Sequence, residues 1–129
     1  MPRECQSRPV ILLVEETEET RNLLEKMLKR DGYCVDLARD EDEAVVRAST
    51  RSPNLILMTL NIALTQLVAT AKRIRDEASL APRIVVIFCA STIPEGAEWE
   101  VQDHIYAIRP DNFNQLRYFL HQLHGKRSA

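Results

Sequence analysis

The chain has 129 residues with a formal net charge of -2, 45% of them apolar and 28% charged, a balance that excludes a disordered chain and suffices for one globular domain. No run of Lys and Arg has the length needed to track a phosphate backbone, so nucleic acid is not an expected partner. No apolar run approaches bilayer-spanning length and the N-terminus lacks a signal-peptide core, so no membrane is expected and the cytoplasm is the expected compartment.

Val10-Ile11-Leu12-Leu13-Val14 is an unbroken apolar run ended by Glu15-Glu16-Thr17-Glu18-Glu19, which predicts a strand buried on both faces that runs into an acidic turn. From about Glu18 to Lys29 the residues Leu23, Leu24, Met27 and Leu28 recur at helical spacing, with Arg21, Lys26, Lys29 and Arg30 on the other side. A first helix follows, stopped by Asp31-Gly32. Tyr33 to Ala38 predicts a second strand, and Asp40 is the expected N-cap of a helix through about Arg51 that turns Ala44, Val45 and Ala48 inward. Pro53 ends that helix and leads into Leu55-Ile56-Leu57-Met58, a central strand whose exit residue is Thr59.

Leu60 to Ala78 predicts a third helix with Ile62, Leu64, Leu67, Val68, Ala71 and Ile74 inward and Lys72, Arg73, Arg75 and Asp76 outward. Ile84 to Phe88 predicts a fourth buried strand ending at Cys89-Ala90-Ser91-Thr92. Residues 93–103, with Pro94, Gly96 and Trp99, are expected to hold at most a short helix. His104 to Ile108 predicts a fifth strand ending at Arg109-Pro110. Asp111 is the expected cap of a last helix with an apolar stripe of Phe113, Leu116, Phe119, Leu120 and Leu123.

Strands alternating with helices imply an α/β domain over 10–123, between polar tails at 1–9 and 124–129. The expected architecture is flavodoxin-like (βα)5, a doubly wound five-stranded parallel sheet with strand order 2-1-3-4-5. In such a sheet ligands sit outside the carboxyl ends of the strands, which here carry Glu15, Glu16, Thr59, Cys89 and Arg109. Cys5, Cys34 and Cys89 are odd in number and widely spaced, suggesting neither a disulfide framework nor a zinc site. His104, His121 and His124 lack metal-ligand companions, and His121 and His124 read as a solvated helix face.

Taken together, Ile-Leu-Leu-Val-Glu-Glu with Arg21 following, Arg-Asp-Glu-Asp-Glu-Ala at 39–44, Ser-Pro-Asn-Leu-Ile-Leu-Met at 52–58, and Tyr106 before Arg109-Pro110 resemble the receiver domain of bacterial two-component response regulators. The resemblance spans nearly all of Val10 to Leu123. It implies an acidic pair that binds Mg²⁺ at Glu15 and Glu16, a phosphoacceptor position at Thr59, a phosphate-contacting hydroxyl position at Cys89 and a lysine position at Arg109. The family carries Asp at the acceptor position. Thr59 removes both a metal ligand and an ionised nucleophile, so no aspartyl phosphate forms there. Glu16 has a longer arm than Asp, which misplaces a ligand of a cation that demands octahedral geometry at roughly 2.0–2.1 Å.

Two readings of Arg109 stand open: it pairs with Glu15 and Glu16 in the absence of a metal, or it extends to water at the strand end. Cys89 reads as a small buried hydrophobe rather than a reactive thiol. Tyr106 matches the aromatic position that changes rotamer in receivers, and is read here as a fixed contact. The turn after Thr59 lacks the family's Pro and Gly residues, and 89–109 runs about two residues short of the family norm.

The leading expectation is a pseudo-receiver: a non-enzymatic, cofactor-free module that signals through protein contact. Its partner would be a sensor kinase or a downstream regulator, and its interaction surface Trp99, Tyr106, Arg117 and Tyr118, although an ordinary helical surface also accounts for Arg117 and Tyr118. One alternative is an atypical phosphorylatable receiver that binds Mg²⁺ through Glu15 and Glu16. A second is a small-molecule-binding flavodoxin-like module, disfavoured because Glu15, Glu16, Glu18 and Glu19 repel an anionic ligand.

Overall fold

The computed structural model describes residues 9–59, 64–79, 85–89, 99–102, 105–108, 117–118 and 120–122. The apolar runs form β1 (Val10–Val14), β3 (Leu55–Met58), β4 (Val85–Cys89) and β6 (Ile105–Ile108), and a more alternating segment forms β2 (Cys34–Ala38). Helices α1 (Glu18–Arg30), α2 (Glu41–Arg51) and α3 (Leu64–Glu77) connect successive strands. Arg117, Tyr118 and Leu120 to Gln122 are also helical. The order across the sheet is β2-β1-β3-β4-β6-β5. Every pair from β2 to β6 is parallel, which is the flavodoxin-like arrangement the sequence implies.

The sheet has one strand more than expected. β5 (Trp99–Gln102) lies antiparallel to β6 at the sheet's edge, where at most a short helix was anticipated. Trp99 and Val101 alternate with polar residues, a β pattern that outweighs the helical one over so few positions. Residues 1–8 and 124–129 of the proposed tails, the turn at 60–63, the Asp111 cap and Arg109 lie outside the described residues.

Alternation along the strands divides the core in two. On one face Leu12, Val14, Ala38, Ile56, Met58 and Ile105 meet Ala44 and Ala48 of α2 and Ala71 and Ile74 of α3. On the other, Ile11, Leu13, Leu55 and Leu57 meet Leu24 and Leu28 of α1, together with Tyr33 and Leu120. Burying each large side chain contributes about 1.5–3 kcal/mol before ordering costs. Leu23, expected inward, is 63% exposed. It sits about 100° round the helix from Leu24, on the side of Lys26 and Arg30, so the apolar stripe of α1 is narrower than its composition suggested.

Local chemistry fixes where the helices begin and end. Gly32 takes φ 101°, and the N–H groups of Gly32 and Tyr33 donate to the carbonyls of Lys29 and Leu28, each at 3.1 Å. This double closure needs a left-handed residue just past the helix, which glycine adopts without strain. Tyr33 then packs in the same cluster as Leu28. At α2 the Asp40 carboxylate accepts the Glu43 N–H at 2.8 Å, satisfying one of the helix's free donors.

Candidate functional site

The parallel register brings the strand exits together. Val14 pairs with Met58 and Met58 with Phe88, so Glu15, Thr59 and Cys89 follow at one level along the carboxyl edge of β1, β3 and β4. The Thr59 N–H donates to the Val14 carbonyl at 3.0 Å and the Glu15 N–H to the Ala38 carbonyl at 3.0 Å. These bonds extend the ladder by one residue and fix both backbones.

Glu15 is buried, 5% exposed, whereas Glu16 is exposed. A buried carboxylate is costly unless each oxygen accepts a hydrogen bond. Here the Thr17 N–H donates to Glu15 Oε2 at 2.8 Å, and the Thr59 hydroxyl donates to Glu15 Oε1. The Val14 carbonyl also lies 3.3 Å from the hydroxyl. Thr59 has a single proton to give, and the charged oxygen is the stronger acceptor. Thr17 is the N-cap of α1 and makes no side-chain cap bond of its own. The Glu15 charge therefore faces the positive end of the α1 dipole. Arg21, one turn into the helix, donates through Nη1 to the Glu15 carbonyl at 2.9 Å.

This arrangement joins Glu15 to Thr59 and leaves Glu16 facing solvent. The backbone of Cys89 reaches the same edge, and Arg109 lies outside the described residues. The donor set does not fit a hard divalent cation. Glu15 is buried with each of its oxygens accepting a hydrogen bond, a setting that leaves little room for the waters that Mg²⁺ keeps.

Of the surface positions, the Arg117 guanidinium binds Asp31 through two bonds of 2.8 Å. The Asp31 carboxylate raises the pKa of Arg117. With Tyr33, Tyr118 and His121 this pair lines a cleft of about 360 Å³. Tyr118 is 65% exposed. Tyr33 ionises above its ordinary value, first because it is buried and second because of the Asp31 charge. Tyr106 is half-buried against the α1-side core. Trp99 begins the edge strand β5.

Three features escaped the sequence reading. Arg73 binds Glu41 of α2, Asp42 at 3.0 Å and Glu77 at 2.7 Å, and Thr70 donates to Glu41 at 2.7 Å. The Arg73 and Thr70 bonds lower the pKa of Glu41. Spacing alone reveals the Arg73–Glu77 pair, four apart on one helix, but not its link to another helix. Asp36, read as one strand residue among others, is a buried carboxylate. Cys34 is disulfide-bonded, against the expectation drawn from the cysteine spacing. Spacing says nothing of which residues adjacent segments bring side by side.

Residues 11–105 match the family model described as the response regulator receiver domain. The chain is 30% identical over 76 residues to the alkaline phosphatase synthesis transcriptional regulatory protein PhoP of Bacillus subtilis, a match covering 59% of this chain and 32% of that protein. The chain thus spans about a third of that relative. Among solved structures it resembles the signal receiver domain of an HD domain-containing protein from Pseudomonas fluorescens, with TM-score 0.70, 22% identity and coverage of 95% and 99% of the two chains. It also resembles a chain of the complex of histidine kinase ThkA with response regulator protein TrrA from Thermotoga maritima, with TM-score 0.69, 20% identity and coverage of 89% and 97%. Among the described residues no helix is long and apolar enough to cross a membrane.

Proposed function

Since the chain belongs to the response regulator receiver domain family, we propose that it is a pseudo-receiver, a binding module without catalytic turnover that works independently of aspartyl phosphorylation. The observation that carries this reading is the bond from the Thr59 hydroxyl to the buried Glu15 carboxylate. In the family's chemistry the residue at position 59 is a carboxylate that ligates a cation and then attacks phosphorus. Here that position donates a hydrogen bond to its neighbour instead. A neutral hydroxyl is not the ionised carboxylate that forms the family's aspartyl phosphate, so that intermediate has no acceptor at position 59. Glu15 receives from Thr59 and Thr17 the compensation that a cation would otherwise supply.

The module acts through protein contact, with a sensor kinase or a downstream regulator of a bacterial two-component pathway in the cytoplasm as its partner. Trp99, Tyr106 and the exposed Tyr118 are the anchors we assign to that contact, because aromatic side chains bring large area at small ordering cost. Arg117 supports them by holding the C-terminal helical residues against Asp31.

Titration with Mg²⁺ and then with beryllofluoride, followed by amide NMR and Trp99 fluorescence, tests the reading. Unmoved resonances at Glu15, Glu16 and Thr59 at millimolar metal are expected. Saturable shifts spreading from these residues to Tyr106 and Trp99 would instead identify a phosphorylatable receiver built on Glu15 and Glu16.

A further inference from the structure

β2 ends the sheet on one side, with β1 as its one strand neighbour among the described residues. The Cys34 N–H donates to the Pro9 carbonyl and the Ala38 carbonyl accepts from the Glu15 N–H, each at 3.0 Å. In a parallel ladder the N–H and C=O of one residue point to the same side and successive residues alternate sides. The backbone of Cys34, Asp36 and Ala38 therefore faces β1, and that of Val35 and Leu37 faces outward. Of the outward groups, the Leu37 N–H donates to Asp36 Oδ1 at 3.1 Å, which draws the Asp36 carboxylate to the rim of the sheet. Asp36 is 8% exposed, and its Oδ2 is a buried acceptor with no hydrogen-bond partner among the described residues. Arg47 of α2, its one ion-pair partner among them, stays 3.8 Å from Oδ1 with its side chain half in solvent. A buried carboxylate oxygen without a donor costs stability, and a rule broken at such cost is a mark of a functional position.

We propose that the outer edge of β2 docks an extended segment of a partner protein, and that this segment carries a lysine or arginine opposite Asp36. Added as a further strand, the segment bonds through its own backbone to the Val35 N–H and to the Val35 and Leu37 carbonyls. Side chains directly opposite on neighbouring strands stand about 4.5–5.5 Å apart at Cβ, so a basic side chain at that register reaches Oδ2 while Oδ1 keeps the Leu37 N–H. The entering residue has Arg47 to move aside, a half-exposed side chain beyond hydrogen-bond distance of the carboxylate. Charge selects the occupant. A second copy of this chain fits poorly, because antiparallel pairing through Val35 and Leu37 of both copies sets one Asp36 against the other, and like charges directly opposite repel. An acidic segment repeats that repulsion, whereas a basic one supplies the donor that Oδ2 lacks. The site lies at the opposite edge of the sheet from β5 and does not depend on the chemistry at Thr59, so it is separate from the aromatic contact proposed above.

The test titrates the full, isotope-labelled chain with synthetic heptapeptides of sequence Thr-Val-Thr-Xaa-Thr-Val-Thr, end-blocked, in which Xaa is Arg, Lys, Gln or Glu. Amide NMR up to millimolar peptide is expected to show saturable shifts at Val35, Asp36 and Leu37 with the Arg and Lys peptides, binding weaker by about tenfold with the Gln peptide, and no binding of the Glu peptide. Hydrogen exchange should slow at the outward Val35 N–H and stay unchanged at the Asp36 N–H, which already faces β1. Asp36→Asn and Asp36→Val should each erase the difference between the Arg and Gln peptides. Absence of shifts at β2 with every peptide, equal binding of the Arg and Glu peptides, shifts confined to β5 and β6, or an Arg preference that survives both substitutions would overturn the proposal. Shifts at Val35 and Leu37 that grow with protein concentration alone would overturn it in favour of a second copy as the occupant.

Discussion

Glu15 and Asp36 are carboxylates of nearly equal burial, 5% and 8% exposed, yet their surroundings differ. Glu15 stands at a strand exit, where a helix N-terminus and a neighbouring strand each supply a donor. Asp36 stands within β2, an edge strand paired on one side only with β1. Its Oδ1 accepts the Leu37 N–H at 3.1 Å. Arg47 approaches only to 3.8 Å, and Oδ2 has no hydrogen-bond partner among the described residues. What decides the cost of a buried charge is thus the number of free donors near it, not the depth of burial. The exit of β1 supplies a donor to each oxygen of Glu15, whereas the middle of β2 supplies one donor to Asp36.

The sharpest way to break this comparison is to remove the donor at the favourable site. Thr59→Val keeps the shape and deletes the hydroxyl, leaving Glu15 Oε1 unpaired, and should destabilise the domain by about 1–3 kcal/mol. Urea unfolding checks the loss, and Thr59→Ser should restore most of it. Asp36→Val should do the opposite, raising stability by about 1 kcal/mol, because an apolar, β-prone side chain replaces an incompletely paired carboxylate. A fall in the urea midpoint would show that the Arg47 contact outweighs the unpaired oxygen.

Glu41 sharpens the contrast at a half-exposed site. Its pKa lies below the ordinary value of 4.5, chiefly through the Arg73 bond, so the folded state binds the proton less readily than the unfolded chain. The resulting stability is present above about pH 4.5 and is lost as pH falls through the folded pKa. Glu41→Gln should flatten that acid limb of the stability profile in thermal melts from pH 6 to pH 3. The smallest effect is expected from a double-mutant cycle on Asp31 and Arg117, since both side chains reach solvent and salt screens them. The coupling should be measurable at low salt and vanish at high salt.

Period and punctuation made most of the fold legible. The runs at 10–14 and 55–58 have no reading but buried strands, and Asp31-Gly32 marks the end of α1 through a backbone conformation that glycine favours. The position of Thr59 was equally legible, because a central parallel strand presents its exit residue to the crevice. What Thr59 does there was not. Its bond depends on the side-by-side placement of β1 and β3, and no spacing along the chain encodes which neighbour a hydroxyl meets. The same holds for Arg73, whose partners come from two helices, and for Cys34. Trp99-Glu100-Val101-Gln102 was misread for a different reason: so short a segment carries too few periods to separate strand from helix.

The edge formed by that strand has a consequence for how the molecule behaves in a crowd. β5 is four residues long, and its pairing with β6 slips between Glu100 and Gln102. A slip of this kind bends the strand and puts its outward N–H and C=O groups out of line. An edge so short and uneven is a poor template for an incoming chain, which is how sheets escape growing into fibrils. The irregularity that ends the sheet on this side therefore also helps keep neighbouring copies apart at high concentration.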